Sequence, residues 1–126
     1  MTAKRVLLVD DEPDIREVAQ ISLEMVAGWT VLTATSGSEA ISTAVAEQPD
    51  AILLDVMMPD MDGPTTFARL QAEPRTRNIP VILLTAKVQA ADQRRFADLA
   101  VRGVIAKPFD PMTLAQQVAG ILEWSV

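Results

Sequence analysis

Five short apolar segments rich in Val, Ile and Leu recur along the chain, and each has the length of a β-strand. Apolar and polar residues hardly alternate within them, which is typical of strands that are covered on both faces of a parallel sheet. The pattern therefore predicts five buried strands, at residues 5–9, 30–34, 51–54, 81–84 and 103–106.

The segment after the first predicted strand has the periodicity of an amphipathic helix. Pro13 suits the first helical position, behind the acidic residues Asp11 and Glu12, and Gly28 suits the position just past the end. The residues predicted to form the core-facing stripe of this helix are Ile15, Val18, Ala19 and Val26.

Four more helical segments follow the remaining strands. The second helix opens with a capping box, Ser-Gly-Ser-Glu at residues 36–39, and the others are predicted at about residues 64–72, 88–99 and 110–122. Five alternations of strand and helix predict right-handed crossovers and a parallel sheet with helices on both faces. Because the sequence contains no repeat or linker, we expect residues 1–126 to form one doubly wound α/β domain.

The composition is that of a folded, acidic domain. The chain has 126 residues, of which 49% are hydrophobic, enough for a single core. Its net charge of −6 would repel nucleic-acid phosphates and anionic lipids, so we expect no direct binding to nucleic acid or to a membrane. No apolar stretch approaches transmembrane length, which favours a cytoplasmic protein.

The chain contains neither Cys nor His. This excludes disulfides, thiolate and imidazole metal ligands, and the Ser-His-Asp triad. Any chemistry must therefore use carboxylates, Lys and hydroxyl groups.

Four of the five predicted strands end at a charged or reactive side chain. In open parallel sheets, ligands bind at the carboxyl ends of the strands, so these side chains should share one edge. Singly, each has a simple structural interpretation, as a helix cap, a turn residue or a solvated lysine. Their convergence favours a functional site made of Asp10 and Asp11 after the first strand, Asp55 after the third, Thr85 after the fourth and Lys107 after the fifth.

Three carboxylates at one edge would repel one another and resist ionisation unless a cation joined them. Lys107 supplies one positive charge, and Mg²⁺, which takes one or two carboxylates, several waters and a phosphate oxygen, would supply more. An Asp, a Mg²⁺ site, a Lys and a hydroxyl are the groups needed to hold a transferring phosphoryl group. The pattern therefore favours an aspartyl phosphate as a covalent state.

Four motifs, spread in order over essentially the whole chain, resemble those of the receiver domain of two-component response regulators in its stand-alone, CheY-like form. The resemblance implies a flavodoxin-like (βα)5 fold with strand order 2-1-3-4-5. It also implies a signalling protein that catalyses only its own phosphorylation and dephosphorylation. The motifs are Val9-Asp10-Asp11-Glu12, the segment DVMMPDMDG from Asp55 to Gly63, Thr85-Ala86, and Lys107-Pro108-Phe109.

The resemblance further implies a role for each residue at the shared edge. Asp55 would accept a phosphoryl group from a sensor histidine kinase or a histidine phosphotransfer protein. Mg²⁺ would be bound by Asp11, Asp55 and the main-chain carbonyl of Met57, with Asp10 helping through water. Thr85 and Lys107 would bind phosphoryl oxygens, and the Lys107-Pro108 peptide should be cis.

Three positions affect the expected signalling behaviour. Many members have Tyr or Phe where this chain has Val104, which is too short to make the ring movement that accompanies activation. We therefore expect an unknown output protein to bind the face formed by the fourth helix, fifth strand and fifth helix. This face should respond to phosphorylation by a shift of the loop after Thr85. Met57 and Lys87 would border the path of the hydrolytic water and prolong the phosphorylated state, unless both point to solvent.

Four alternatives remain open. A flavin-binding protein would share the strand order, but the chain has five Gly and no Tyr, and Trp29 and Trp124 lie away from the predicted edge. An aspartate phosphatase would need a second acid where Met57 stands. The chain could also be a phosphorylation-independent pseudo-receiver, or the receiver part of a longer multidomain regulator.

Overall fold

Five parallel strands form one sheet in the order β2-β1-β3-β4-β5. The structure is a computed structural model, and it describes residues 4–86, 94, 96 and 99–124. The strand order and the parallel pairing confirm the predicted topology. Two strands extend one residue further than predicted, so Asp55 and Thr85 are the last residues of their strands. The strands are β1 (Arg5–Val9), β2 (Thr30–Ala34), β3 (Ala51–Asp55), β4 (Val81–Thr85) and β5 (Gly103–Ala106).

Four helices connect or follow these strands within the described part of the chain. Pro13 opens the first, and Gly28 ends its π-helical extension with a left-handed φ of 71°, as predicted. Most of the fourth predicted helix, 88–99, lies outside the described residues, although Arg94 and Phe96 are helical. The four are α1 (Pro13–Ser22, extended by the π-helical turn Leu23–Ala27), α2 (Gly37–Glu47), α3 (Gly63–Ala72) and the last helix (Leu114–Leu122).

The last helix begins at Leu114, four residues later than predicted. Asp110 forms a turn instead, since its carboxylate accepts the Met112 amide at 2.8 Å and its carbonyl accepts the Leu114 amide at 3.0 Å. An Asp that bonds to nearby backbone groups in this way favours a turn or cap over a helix interior.

The predicted core-facing stripe of α1 is partly wrong. Val18 and Val26 are 44% and 40% exposed, whereas Ala19 and Leu23 are fully buried. Adjacent helical residues differ by about 100° around the axis, so Val18 and Ala19 cannot both point at the sheet. The wider π-helical turn then alters the phase before Val26. Consequently α1 carries an exposed apolar strip that continues onto Met112.

Apolar residues cover both faces of the sheet, because successive side chains of a strand point to opposite sides. Leu8 of β1 packs on one face, in a cluster with Leu23 and the last helix, and Leu7 packs on the other face, in a cluster with α2 and α3. The three central strands are almost completely buried. The doubly wound α/β architecture is therefore confirmed.

An aromatic cluster lies where the strands begin. Trp29, directly before β2, meets Trp124 edge to face with ring centroids 5.3 Å apart. The ammonium of Lys4, directly before β1, lies 4.8 Å from the centroid of the Trp124 ring. Both tryptophans are thus remote from the carboxyl ends of the strands, as predicted. Among the described residues, none of the helices combines the length and the apolar character needed to cross a bilayer.

Candidate functional site

The carboxyl ends of the strands bring the predicted polar residues to one edge of the sheet. Asp55 is in register with Leu84 of β4, and Thr85 is in register with Ala106 of β5. Lys107 follows directly, and its amide donates to the Thr85 carbonyl at 2.8 Å. The register of three neighbouring strands therefore places Asp55, Thr85 and Lys107 side by side.

Four acidic side chains converge at this edge, with carboxylate oxygens that all lie within 4.8 Å of one another: Asp10, Asp11, Glu12 and Asp55. Asp10 is fully buried and Asp55 is 3% exposed. Hard carboxylate oxygens on neighbouring elements are the ligands that Mg²⁺ prefers in proteins. The residues present therefore fit a divalent cation, and the cluster contains every carboxylate that the sequence predicted as a ligand.

Lys107 places an ammonium group among these acids. Its Nζ atom lies 2.7 Å from Asp10, 3.2 Å from Asp55 and 3.9 Å from Glu12. Burial by itself would lower the pKa of Lys107, but its hydrogen bonds to Asp10 and Asp55 and their negative charges outweigh that effect, so the pKa is raised. Lys107 consequently stays protonated at neutral pH and faces Asp55 as an ammonium.

The environment of Asp55 disfavours its ionised form. Burial, followed by the charge of Asp10, raises the pKa of Asp55 from 3.8 to about 6, although Lys107 and the Met57 amide act in the opposite direction. One ammonium thus compensates the buried acids incompletely. A second cation would relieve the remaining repulsion, which is a further reason why a divalent ion fits this site.

Asp10 is held by contacts that fix its direction. One carboxylate oxygen accepts the Glu12 amide at 2.9 Å, and the other accepts the Lys107 ammonium. The Arg16 guanidinium donates to the Asp10 carbonyl at 2.8 Å. Sequence reasoning missed Glu12 and Arg16 as parts of the site. The position of Glu12 beside two acids was a usable signal, whereas nothing in the sequence pattern marked Arg16.

The loop between β3 and α3, residues 56–62, borders the acidic cluster. It returns on itself, because the Gly63 amide donates to the Val56 carbonyl at 2.8 Å. A Cβ atom on Gly63 would lie only 2.8 Å from the Asp55 carbonyl oxygen, so the close return requires glycine. Met57, predicted to offer its carbonyl to Mg²⁺, donates its amide to the Asp55 carboxylate at 3.3 Å, and its side chain is exposed.

Two further predictions concern the ends of β4 and β5. Thr85 is buried at the end of β4, beside the acidic cluster in the strand register. The Lys107-Pro108 peptide is cis, which confirms the prediction made from the resemblance.

Comparison with known proteins agrees with this geometry. Residues 6–119 match the family model of the response regulator receiver domain. The chain belongs to this family. Among solved structures, the Vibrio cholerae chemotaxis protein CheY4 is similar with a TM-score of 0.87 and 29% identity, over 95% of this chain and 99% of that one. The predicted family and the CheY-like fold are thus confirmed.

Relatives of this receiver domain include regulators of transcription. The DNA-binding dual master transcriptional regulator RpaA of Synechocystis is 40% identical over 118 residues, which are 94% of this chain and 48% of RpaA. The phosphate regulon transcriptional regulatory protein PhoB of Pseudomonas aeruginosa is 37% identical over 122 residues, which are 97% of this chain and 53% of PhoB. The chain therefore spans about half the length of these relatives.

Of two positions expected to affect signalling, Val104 is among the described residues and Lys87 is not. In this receiver domain Val104 lies on β5, in register with Leu83, and its side chain is exposed. Its short side chain leaves no aromatic ring there to report on Thr85. Lys87, and with it the loop before Val88, lies outside the described residues.

Proposed function

We propose that this receiver domain, taken as residues 1–126, accepts a phosphoryl group on Asp55 from a sensor histidine kinase or a histidine phosphotransfer protein. The observation that carries this is the Asp55 carboxylate itself, which ends β3 inside the acidic cluster and lies 3.2 Å from the Lys107 ammonium. Phosphorylation would then change how the domain binds an output partner. In this role the domain acts as a signalling protein and catalyses only its own phosphorylation and dephosphorylation.

The reaction joins an Asp55 oxygen to phosphorus and breaks the bond between phosphorus and the donor's imidazole nitrogen. The electron pair of the broken bond stays on the imidazole, which takes up a proton. Asp55 must be ionised to attack, and its pKa of about 6 leaves it mostly ionised at neutral pH. Lys107 keeps its proton and stabilises the negative phosphoryl oxygens, while the Thr85 hydroxyl donates to one of them.

Mg²⁺ would be held by Asp11, Asp55 and the Met57 main-chain carbonyl, with Asp10 linked through water. The ion supplies positive charge for the phosphoryl oxygens as they transfer. The protein's part is to keep these oxygens converged, which the buried contacts of Asp10 with Lys107 and Glu12 support.

Acetyl phosphate gives a direct test, because it replaces the protein donor. Intact-mass measurement of the wild type with acetyl phosphate and Mg²⁺ should show one added phosphoryl group, and omission of Mg²⁺ should prevent it. Asp55→Asn should remain unlabelled. Asp14→Asn, which removes an exposed carboxylate next to the site, is the matched control and should be labelled as the wild type is. Undiminished labelling of Asp55→Asn would move the acceptor elsewhere, and an unlabelled wild type would favour the pseudo-receiver.

The output surface belongs to the same proposal. We place it on the face that contains β5 and the last helix together with the predicted helix at 88–99. Because Val104 is short, the signal would pass from Thr85 through the following loop, and amide exchange from Thr85 to Val104 should change on phosphorylation.

Contact with nucleic acid or a membrane is not part of this domain's role, and the reaction would take place in the cytoplasm.

A further inference from the structure

The β3–α3 loop, residues 56–62, contains the carbonyl that the proposed function assigns to Mg²⁺. Its two ends are fixed by the sheet and by α3. The Val56 amide donates to the Leu84 carbonyl at 3.0 Å, and the Asp62 carboxylate accepts the Thr65 amide at 2.8 Å as the cap of α3. Between these ends, Met57 is exposed at the rim. The position of its carbonyl therefore depends on how the middle of the loop is held.

Asp60 holds the middle of this loop to the first turn of α2. Its two carboxylate oxygens accept the amides of Gly37 and Ser38, each at 3.0 Å, and the Ser38 hydroxyl also donates at 3.0 Å. The backbone bonds from Ser38 and Gly37 lower the pKa of Asp60 to about 2, so it accepts these bonds as a carboxylate at neutral pH. The three bonds join segments 22 and 23 residues apart in the chain.

The loop also packs tightly on α2 at this point. A Cβ atom on Gly37 would clash with the Met61 side chain, so the helix begins with a glycine where the loop crosses it. The packing leaves little room for the loop to shift toward α2. Asp60 prevents movement in the other direction, away from α2.

Helix α2 has a cap of its own besides Asp60. The Ser36 hydroxyl oxygen accepts the Glu39 amide at 3.1 Å, which is the ordinary N-cap bond. The Glu39 carboxylate does not return to Ser36 as in a full capping box, but accepts the Thr35 hydroxyl at 3.3 Å. The helix thus begins with a standard cap, and the two further amides that Asp60 takes serve to fix the loop.

We propose that Asp60 is a positioning residue for Mg²⁺, which rests on the function proposed above. By tying the loop to α2 before the ion arrives, Asp60 places the Met57 carbonyl so that binding does not have to order the loop. Preorganisation of this kind increases affinity by removing an entropic cost, without adding a contact to the ion. Asp60 itself does not touch the ion.

The experiment measures Mg²⁺ binding alone, by titrating unphosphorylated protein with MgCl₂ and following backbone amides by NMR. Asp60→Ala should weaken Mg²⁺ binding about tenfold, and Asp60→Asn, which keeps one accepting oxygen, about threefold. Ser36→Ala is the matched control, because it removes a cap from the same helix turn without releasing the loop. Its Mg²⁺ affinity should stay within about twofold of wild type. Glu39→Gln controls for charge, since it removes an acid from that turn, and should behave likewise.

A second readout separates positioning from general destabilisation. Coupling between two sites is reciprocal, so Mg²⁺ should slow amide exchange at Gly37 and Ser38 in the wild type. This protection should vanish in Asp60→Ala and persist in Ser36→Ala. If Asp60→Ala does not fold, Asp60→Asn provides both measurements.

The possible results divide clearly. Wild-type Mg²⁺ affinity in a folded Asp60→Ala overturns the positioning role and leaves the proposed function standing. Equal weakening in Asp60→Asn, Asp60→Ala and Glu39→Gln shows an effect of charge and also overturns it. A wild type that binds no Mg²⁺, or an Asp11→Ala variant that binds it normally, overturns the proposed metal site and this inference together.

Discussion

Replacing Asp55 with Asn should stabilise the metal-free domain at neutral pH. Asp55 is a buried carboxylate next to a second buried carboxylate, Asp10, and its pKa is raised to about 6. Asn has nearly the same shape and carries no charge, so the substitution removes the repulsion without leaving a cavity. It also leaves an oxygen that can accept the hydrogen bond of Lys107.

The magnitude follows from the pKa. Between about pH 4 and pH 6 the folded chain keeps a proton on Asp55 that the unfolded chain releases, so wild-type stability falls as the pH rises through this window. The change from 3.8 to about 6 corresponds to about 3 kcal/mol, at about 1.4 kcal/mol per pKa unit. Asn loses the charge attraction to Lys107, and solvent reaches the edge of the site. We therefore expect Asp55→Asn to raise the free energy of unfolding by about half of this value, roughly 1.5 kcal/mol. For a domain of this size that raises Tm by about 5 °C.

The assay is urea unfolding followed by far-UV circular dichroism, in the presence of a chelator, at several pH values from 4 to 7.5. The stability difference between Asp55→Asn and wild type should be small near pH 4, grow up to about pH 6 and then stay constant. Asp14→Asn, at an exposed position on α1, should differ from wild type by less than about 0.5 kcal/mol. Parallel pH curves for Asp55→Asn and wild type, or a less stable Asp55→Asn at pH 7, would refute the reasoning.

Three further outcomes are expected. Millimolar Mg²⁺ should raise the Tm of the wild type by mass action, and Asp11→Ala should remove most of the increase; an equal increase in that variant would contradict the assigned ligand. Asp60 has its pKa lowered to about 2, so its contribution to stability is present above about pH 4 and is lost as the pH falls through about 2. The Tm difference between wild type and Asp60→Asn should therefore shrink from pH 5 to pH 2.5, and a constant difference would speak against it. Met57→Asn, which offers a water-orienting amide two places after Asp55, should hasten loss of the phosphoryl group severalfold; an unchanged or slower rate would indicate that Met57 only faces solvent.

The strands and the edge of the site could be predicted because they depend on local sequence. An unalternating apolar run identifies a buried strand, and the first polar residue after it identifies the strand's end, as at Asp55 and Lys107. Parallel strands then bring those ends together whatever the residues between them are. The strand order itself was implied by the family resemblance, since periodicity does not determine which strands are neighbours.

Contacts that depend on three-dimensional direction could not be predicted. The bonds from Gly37 and Ser38 to Asp60 join the first turn of α2 to the β3–α3 loop, and the separation of these two segments in the sequence carries no signal. Arg16 lies six residues after Asp10, and the sequence pattern does not show that its guanidinium reaches back to the Asp10 carbonyl. Whether Val18 or Ala19 faces the sheet depends on a rotation of about 100° around the axis of α1, which the pattern of apolar residues does not determine.

The Trp29–Trp124 pair gives this domain an optical signal that is separate from its chemistry. Both fluorophores lie where the strands begin, and a five-residue strand spans about 15 Å, so they are insulated from events at Asp55. Their fluorescence emission should change when the core unfolds. It should not change when Asp55 is phosphorylated or when Mg²⁺ binds. Unfolding of unmodified and phosphorylated protein can thus be compared on one unchanged spectroscopic scale. A fluorescent reporter of the site itself would have to be introduced. Met57→Trp would supply one, because the Met57 side chain is 62% exposed next to the acidic cluster.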